Sequence, residues 1–145
     1  MYWEDKGFLL SKIKYSENSV ISEIFTEQHG KISGIIYGAT SKKIKNYLQI
    51  GNRLHVNYIH KNDGKIGYLK IEIDKIITPL FFDDKKKLAC IVSTLNLVKI
   101  LTVESQENIN IFNSINNFFN ILSDSNWIKN YILWELEFYK LIGYD

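Results

Sequence analysis

Halfway along this chain the spacing of its apolar residues changes. Up to Thr78 they recur every second residue, most plainly at Leu69, Ile71 and Ile73 against Lys70, Glu72 and Asp74. Past Pro79 they recur every three or four, as in Ile109, Phe112, Ile115, Phe119 and Leu122. A period of two puts alternate side chains on opposite faces of a strand, whereas a period near 3.6 gathers them on one side of a helix. One segment cannot satisfy both, so a β part is followed by an α part. The only proline, Pro79, stands at the change and cannot continue a strand ladder. The expected division is 1–78 and 79–145.

In the first part, strands are expected over 7–15, 19–26, 31–37, 53–59 and 66–77. Lys12 and Lys14 flank Ile13, which predicts one buried and one wet face. Ser16-Glu17-Asn18 and Asp63-Gly64 carry turn chemistry, and Gly30 can take positive φ without steric cost. Between the third and fourth strands, Gly38-Ala39-Thr40-Ser41-Lys42-Lys43-Ile44-Lys45-Asn46-Tyr47 forms a basic insert with a short helix over 41–48. Five short strands with the helix-capable insert in that place follow the order of an OB-fold barrel. Another five-stranded small barrel is the competing arrangement.

The second part predicts three helices. Asp83 or Asp84 can cap the first, whose stripe is Leu88, Ile91, Val92, Leu95 and Val98. A polar break over 104–108 precedes the second, and Ser123-Asp124-Ser125-Asn126 offers caps for a third over 127–142, ended by Gly143. That last helix is apolar almost all round, at Trp127, Tyr131, Trp134, Phe138 and Leu141, so it needs cover on more than one side, and the two helices before it can cover only part of it. The expected fold class is a β + α two-part chain, an OB-fold barrel followed by a three-helix all-α domain.

Charge is unevenly placed. There are 12 Lys and Arg against 8 Asp and Glu up to Thr78, and 6 against 8 from Pro79 onward. The basic half is the expected electrostatic footprint for a polyanion. Isolated ammonium groups are too costly to bury, so Lys42, Lys43 and Lys45 must face water or an anion, read here as nucleic-acid phosphate. Lys12 and Lys14 on the first strand, Arg53 opening the fourth, and Lys61 and Lys65 on the following turn are further phosphate candidates. Tyr15, Tyr37 and Tyr47 adjoin these cations and are placed to stack on bases.

Other chemistry finds little footing. Cys90 is the only cysteine, which excludes an internal disulfide and a multi-cysteine zinc site, and it lies beside an apolar stripe. His29 reads as a corner residue, and His55 and His60 fit no metal template. No paired carboxylates in a catalytic setting, phosphate-cradling glycine loop or Ser-His-Asp set is present, so neither enzyme activity nor a cofactor or metal is expected. No apolar run approaches the ~20 residues of a membrane span, and the first residues lack a signal-peptide layout. A cytoplasmic protein is expected.

Six short motifs, in order, resemble the bacterial recombination mediator family RecO. They are Trp3-Glu4-Asp5-Lys6-Gly7-Phe8-Leu9-Leu10; Tyr15-Ser16-Glu17-Asn18-Ser19; Phe25-Thr26-Glu27-Gln28-His29-Gly30-Lys31; Gly38-Ala39-Thr40-Ser41-Lys42-Lys43; Leu48-Gln49-Ile50-Gly51-Asn52; and Tyr131-Ile132-Leu133-Trp134-Glu135-Leu136 with Leu141-Ile142-Gly143-Tyr144-Asp145. The resemblance implies an N-terminal OB-fold and a helical domain. It also implies sequence-independent binding of single- and double-stranded DNA, strand annealing, and recombinase loading in the RecF pathway with RecR and single-stranded-DNA-binding protein. The family continues past the Leu-Gly exit into further helix and, in many members, a four-cysteine zinc module. Nothing in this sequence corresponds to that part, so no zinc site is carried over. On the last helix, Lys129, Trp134 and Lys140 are candidates for receiving the acidic, apolar tail of single-stranded-DNA-binding protein. The alternative reading is a protein-interaction module whose DNA binding has decayed.

Overall fold

The computed structural model describes residues 1–61 and 64–143. The turn expected at Asp63-Gly64 falls partly outside the described residues, as do Tyr144 and Asp145 of the expected exit motif. In order, the elements are β1 (Tyr2–Ser16), β2 (Ser19–Thr26), β3 (Gly30–Tyr37), α1 (Lys42–Tyr47), β4 (Arg53–Ile59) and β5 (Gly67–Lys75). A 3₁₀ turn (Thr78–Phe81) then leads to α2 (Lys85–Leu101), α3 (Ile109–Leu122) and α4 (Trp127–Leu141). The strands close into a barrel in the order β1-β2-β3-β5-β4, antiparallel except for β3 with β5. This is the OB order that the sequence predicts.

β1 makes closure possible. Its first half pairs with β4, from Tyr2 opposite Ile59 to Phe8 opposite Arg53, and its second half pairs with β2. Register shifts between Leu9 and Ser11 and between Lys14 and Ser16 bend it from one neighbour towards the other. The expected start at residue 7 is therefore too late: residues 2–6 are extended because a distant strand pairs with them, which local alternation does not reveal. Beyond the bend, β1 runs out past the core. Ile13 is 64 % exposed, so the buried face expected between Lys12 and Lys14 does not exist.

Inside the barrel, Leu9, Ile24, Ile36, Leu54, Val56 and Leu69 form a closed apolar core, and Ile44, Tyr47 and Leu48 of the α1 segment pack on it. At the end of β4 away from α1, Trp3 stacks with His29 at 3.7 Å and with Tyr58 at 4.8 Å. The β2–β3 corner there is built by side chains. Thr26 Oγ1 donates to the Gly30 carbonyl at 2.7 Å and accepts from the His29 amide at 3.1 Å. The buried Asp5 carboxylate accepts from the Gln28 amide and from His29 Nδ1 at 2.8 Å. Gly30 itself has φ +67, and a Cβ there would sit 2.0 Å from the Gln106 carbonyl oxygen. A side chain at this corner would push away the α2–α3 connection.

The helices share a core with the barrel's outer wall. Phe8, Leu10 and Phe25 project outward and pack with Ile91, Leu95 and Val98 of α2 and Phe112, Ile115 and Phe119 of α3. Phe8 lies 5.2 Å from the Phe112 ring. Two polar ties reinforce this. Lys31 is buried, and its ammonium donates to the Lys99 and Thr102 carbonyls at the end of α2, both at 2.7 Å. Those carbonyls have no partner within the helix, so the lysine serves as their cap. Arg53 bridges Asp74 of β5 and Asn116 of α3.

Two expectations about the helices need correction. Asp84 caps α2 as predicted, accepting from the Lys87 amide at 3.1 Å, but Asn126 starts α4 without a side-chain capping bond. Val92 faces outward, and Thr94 takes the buried place instead. As expected, the rest of the fold covers α4 only in part: Trp134 and Phe138 are buried, while Ile128, Ile132, Leu133 and Leu136 are exposed.

Candidate nucleic-acid interface

The basic insert is fixed at both ends. Its start is tied to the β1–β2 turn, where the Asn18 carbonyl accepts from the Gly38 amide at 2.9 Å and the Asn18 side chain accepts from Thr40. Ser41 caps α1 by accepting from the Ile44 amide at 3.3 Å. At the other end, Lys12 donates to the Leu48 carbonyl at 2.6 Å. Lys12 thus holds the last turn of α1 in place, and its ammonium is occupied by that carbonyl. α1 turns Ile44 inward and leaves Lys42, Lys43 and Lys45 exposed. Lys43 lies 3.4 Å from Glu72 of β5 and 5.9 Å over the Tyr47 ring. Both partners are well exposed, so this pair is worth about 0–1 kcal/mol.

Beside α1 a cleft of about 560 Å³ opens in the barrel wall. β3 and β5 pair only at Gly34–Gly67 and Ile35–Tyr68, and then they separate. Ile36, Ile44 and Leu69 line the cleft, Tyr37 and Tyr68 flank it, and Lys61 and Lys70 stand at its edge. The two tyrosine rings stack at 5.6 Å with 24° between their planes, and they are 57 % and 37 % exposed. Partial desolvation, then the neighbouring Tyr68 and Tyr15 phenols, raises the Tyr37 pKa above its ordinary value. Tyr37 and Tyr68 form one exposed aromatic pair.

The structure brings together some expected site residues and separates others. Lys42, Lys43, Lys45, Tyr37, Tyr47 and Lys61 surround α1 and the cleft. Lys14 is exposed on the projecting end of β1. Lys65 lines a different groove with Ser33, Tyr58 and Glu104. Arg53 faces α3 and is held by Asp74 and Asn116, so its guanidinium does structural bridging, away from the cleft. On α4, Lys129 and Lys140 are exposed, Lys140 within 3.7 Å of Glu137. Trp134 is only 4 % exposed and donates to the Ser114 carbonyl at 2.8 Å, so it packs between helices and offers no face to a partner. The sequence reading misses Lys70 and Tyr68 as site residues. The side of β5 that Tyr68 takes follows from the alternation with Leu69, but its neighbour Tyr37 depends on the parallel β3–β5 pairing. Among the described residues no three His, Cys, Asp or Glu side chains form a metal-binding group, and no helix is long and apolar enough to cross a membrane.

A closed five-stranded barrel in this order belongs to the class of small OB-fold barrels. The sequence profile of the family described as Recombination protein O N terminal matches residues 1–78. A DNA repair protein RecO from Ehrlichia chaffeensis is 30 % identical over 99 % of this chain and 59 % of its own length. One from Rickettsia canadensis is 33 % identical over 97 % of this chain and 58 % of its own length. The chain belongs to the RecO family. It spans about 59 % of the length of the Ehrlichia relative.

Proposed function

We propose that this chain is a non-catalytic, cytoplasmic DNA-repair protein that binds single- and double-stranded DNA without sequence choice. One observation carries the reading: Lys42, Lys43 and Lys45 project from a helix braced against the barrel, next to a tyrosine-flanked cleft edged by Lys61 and Lys70. Lysines arranged this way neutralise phosphates and give affinity that is blind to sequence. The motif resemblance to the RecO family extends the proposal to annealing of strands and to recombinase loading in the RecF pathway, with RecR and single-stranded-DNA-binding protein as partners.

The test is the salt dependence of oligonucleotide binding. Changing Lys42, Lys43 and Lys45 together to Gln should lower the slope of log K against log salt by up to about 3. An unchanged slope would remove α1 from the interface. A second reading, a protein-interaction module, draws on the exposed Ile128, Ile132 and Leu136 along α4 beside Lys129. It predicts no oligonucleotide binding but retained capture of RecR or single-stranded-DNA-binding protein.

A further inference from the structure

We propose that the cleft between β3 and β5 is a subsite for one unstacked nucleobase of a single strand, held against the Tyr37–Tyr68 ring pair. This rests on the DNA-binding reading and goes beyond it by separating how the two forms of DNA are held. The cleft is a consequence of the barrel's weakest seam. At Gly34 a Cβ would come within 2.6 Å of Leu69 on β5, so β3 and β5 close tightly there. Beyond Ile35 and Tyr68 no further pairs form among the described residues, and the buried Ile36 and Leu69 make the floor of the cleft. A cavity of about 560 Å³ falls within the ~300–1,000 Å³ of sites that enclose a small ligand.

The lining suits a nucleobase. Ile36, Ile44 and Leu69 offer an apolar wall, and the stacked tyrosines offer an aromatic platform whose rings remain open to solvent. Stacking on aromatic rings is tolerant of sequence because every base has a π-face. Lys61 and Lys70 line the same cleft and supply cations for the phosphates of an inserted nucleotide. A base in a duplex is paired and stacked on both sides, so it reaches such a cleft only after unpairing. A duplex would be held by the lysines alone.

Three other grooves lack this combination, and the one on α4 beside Trp127 and Lys129 offers a single ring in place of a stacked pair. The groove beside Trp3, His29 and Tyr58 is aromatic, but Glu107 borders it, and Glu104 lines the adjoining groove. Carboxylates there repel phosphate. The groove between α3 and α4 is lined by Asn113, Asn117, Asn120 and Glu137 and carries no lysine or arginine.

The test compares Tyr37→Leu/Tyr68→Leu with Tyr37→Phe/Tyr68→Phe on a single-stranded oligothymidylate and on a duplex. Both side chains are exposed, and circular dichroism confirms that each variant folds. The Leu pair should lose at least about tenfold in single-strand affinity, leave duplex affinity within about twofold and keep the salt slope, while the Phe pair retains binding. A 2-aminopurine base in the single strand should be quenched by the wild type and not by the Leu pair. Equal losses on both DNA forms, or undiminished single-strand binding by the Leu pair, would overturn the base subsite alone. If the wild type binds neither DNA form, the DNA-binding reading fails and the subsite falls with it. Cleft-dependent binding of an acidic peptide in place of DNA would likewise refute both.

Discussion

Asn52 is buried where three parts of the chain meet, and replacing it tests how the barrel aims its basic helix. Its Oδ1 accepts from the Ile77 amide at 2.9 Å and the Thr78 amide at 3.2 Å, and its Nδ2 donates to the Tyr47 carbonyl at the end of α1. Its own carbonyl accepts from the Leu9 amide in β1 at 3.0 Å. In Asn52→Ala the two amides lose their acceptor in a site that water does not reach. Each orphaned buried donor costs about 1–3 kcal/mol, so the loss should be about 2–6 kcal/mol. Set against a typical total of about 5–15 kcal/mol, that is a large share. Urea unfolding followed by tryptophan fluorescence should show a midpoint lowered by about 1–3 M with the slope unchanged. Asn57→Ala is the control: its Oδ1 accepts from the Tyr2 hydroxyl at the surface, so the change should stay within about 0.5 kcal/mol. A midpoint shift in Asn52→Ala no larger than the control's would refute the reasoning.

Three further predictions follow from individual side chains. Ser22 Oγ is buried inside the barrel with no hydrogen-bond partner among the described residues, so Ser22→Ala should be neutral or slightly stabilising; a loss above about 1 kcal/mol in urea unfolding would contradict this. Tyr131, beside Thr94 and Cys90, has its pKa raised above 10.0, first by burial. The folded state therefore holds that proton more tightly than the unfolded chain, so this contribution is full below about pH 10 and is lost as pH rises further. Tyr131→Phe should remove that part of the alkaline decline, measured as a smaller drop in urea midpoint between about pH 8 and about pH 11. Finally, Glu72→Gln frees Lys43 of its carboxylate partner, so oligonucleotide affinity should rise and the salt slope should steepen by up to about 1; weaker binding would argue against Lys43 as a phosphate contact.

Much of the architecture is legible because the strands carry a clean period of two. β2 and β4 begin and end where their alternation and turns predict, and Ser41 and Asp84 cap helices as their chemistry suggests. What local pattern does not contain is pairing between distant strands. The extension of β1 back to Tyr2 and the meeting of Tyr37 with Tyr68 both depend on it. Cations are ambiguous for a related reason. Lys12, Lys31 and Arg53 look in sequence like Lys42, yet each finds a carbonyl, carboxylate or amide acceptor contributed from elsewhere in the chain. α4 is ambiguous in the opposite way. With apolar residues on every side, its sequence does not say that Trp134 faces α3 while Leu133 faces out.

The outward-facing Phe8, Leu10 and Phe25 have a practical consequence for anyone wishing to isolate the barrel. Cutting after residue 78, where the family profile ends, would strip α2 and α3 from these side chains and leave a greasy strip on the fragment's wall. Such a fragment should clump unless those three positions are first made polar. Because one oily seam joins both parts, a blow to either should melt the other at the same denaturant concentration.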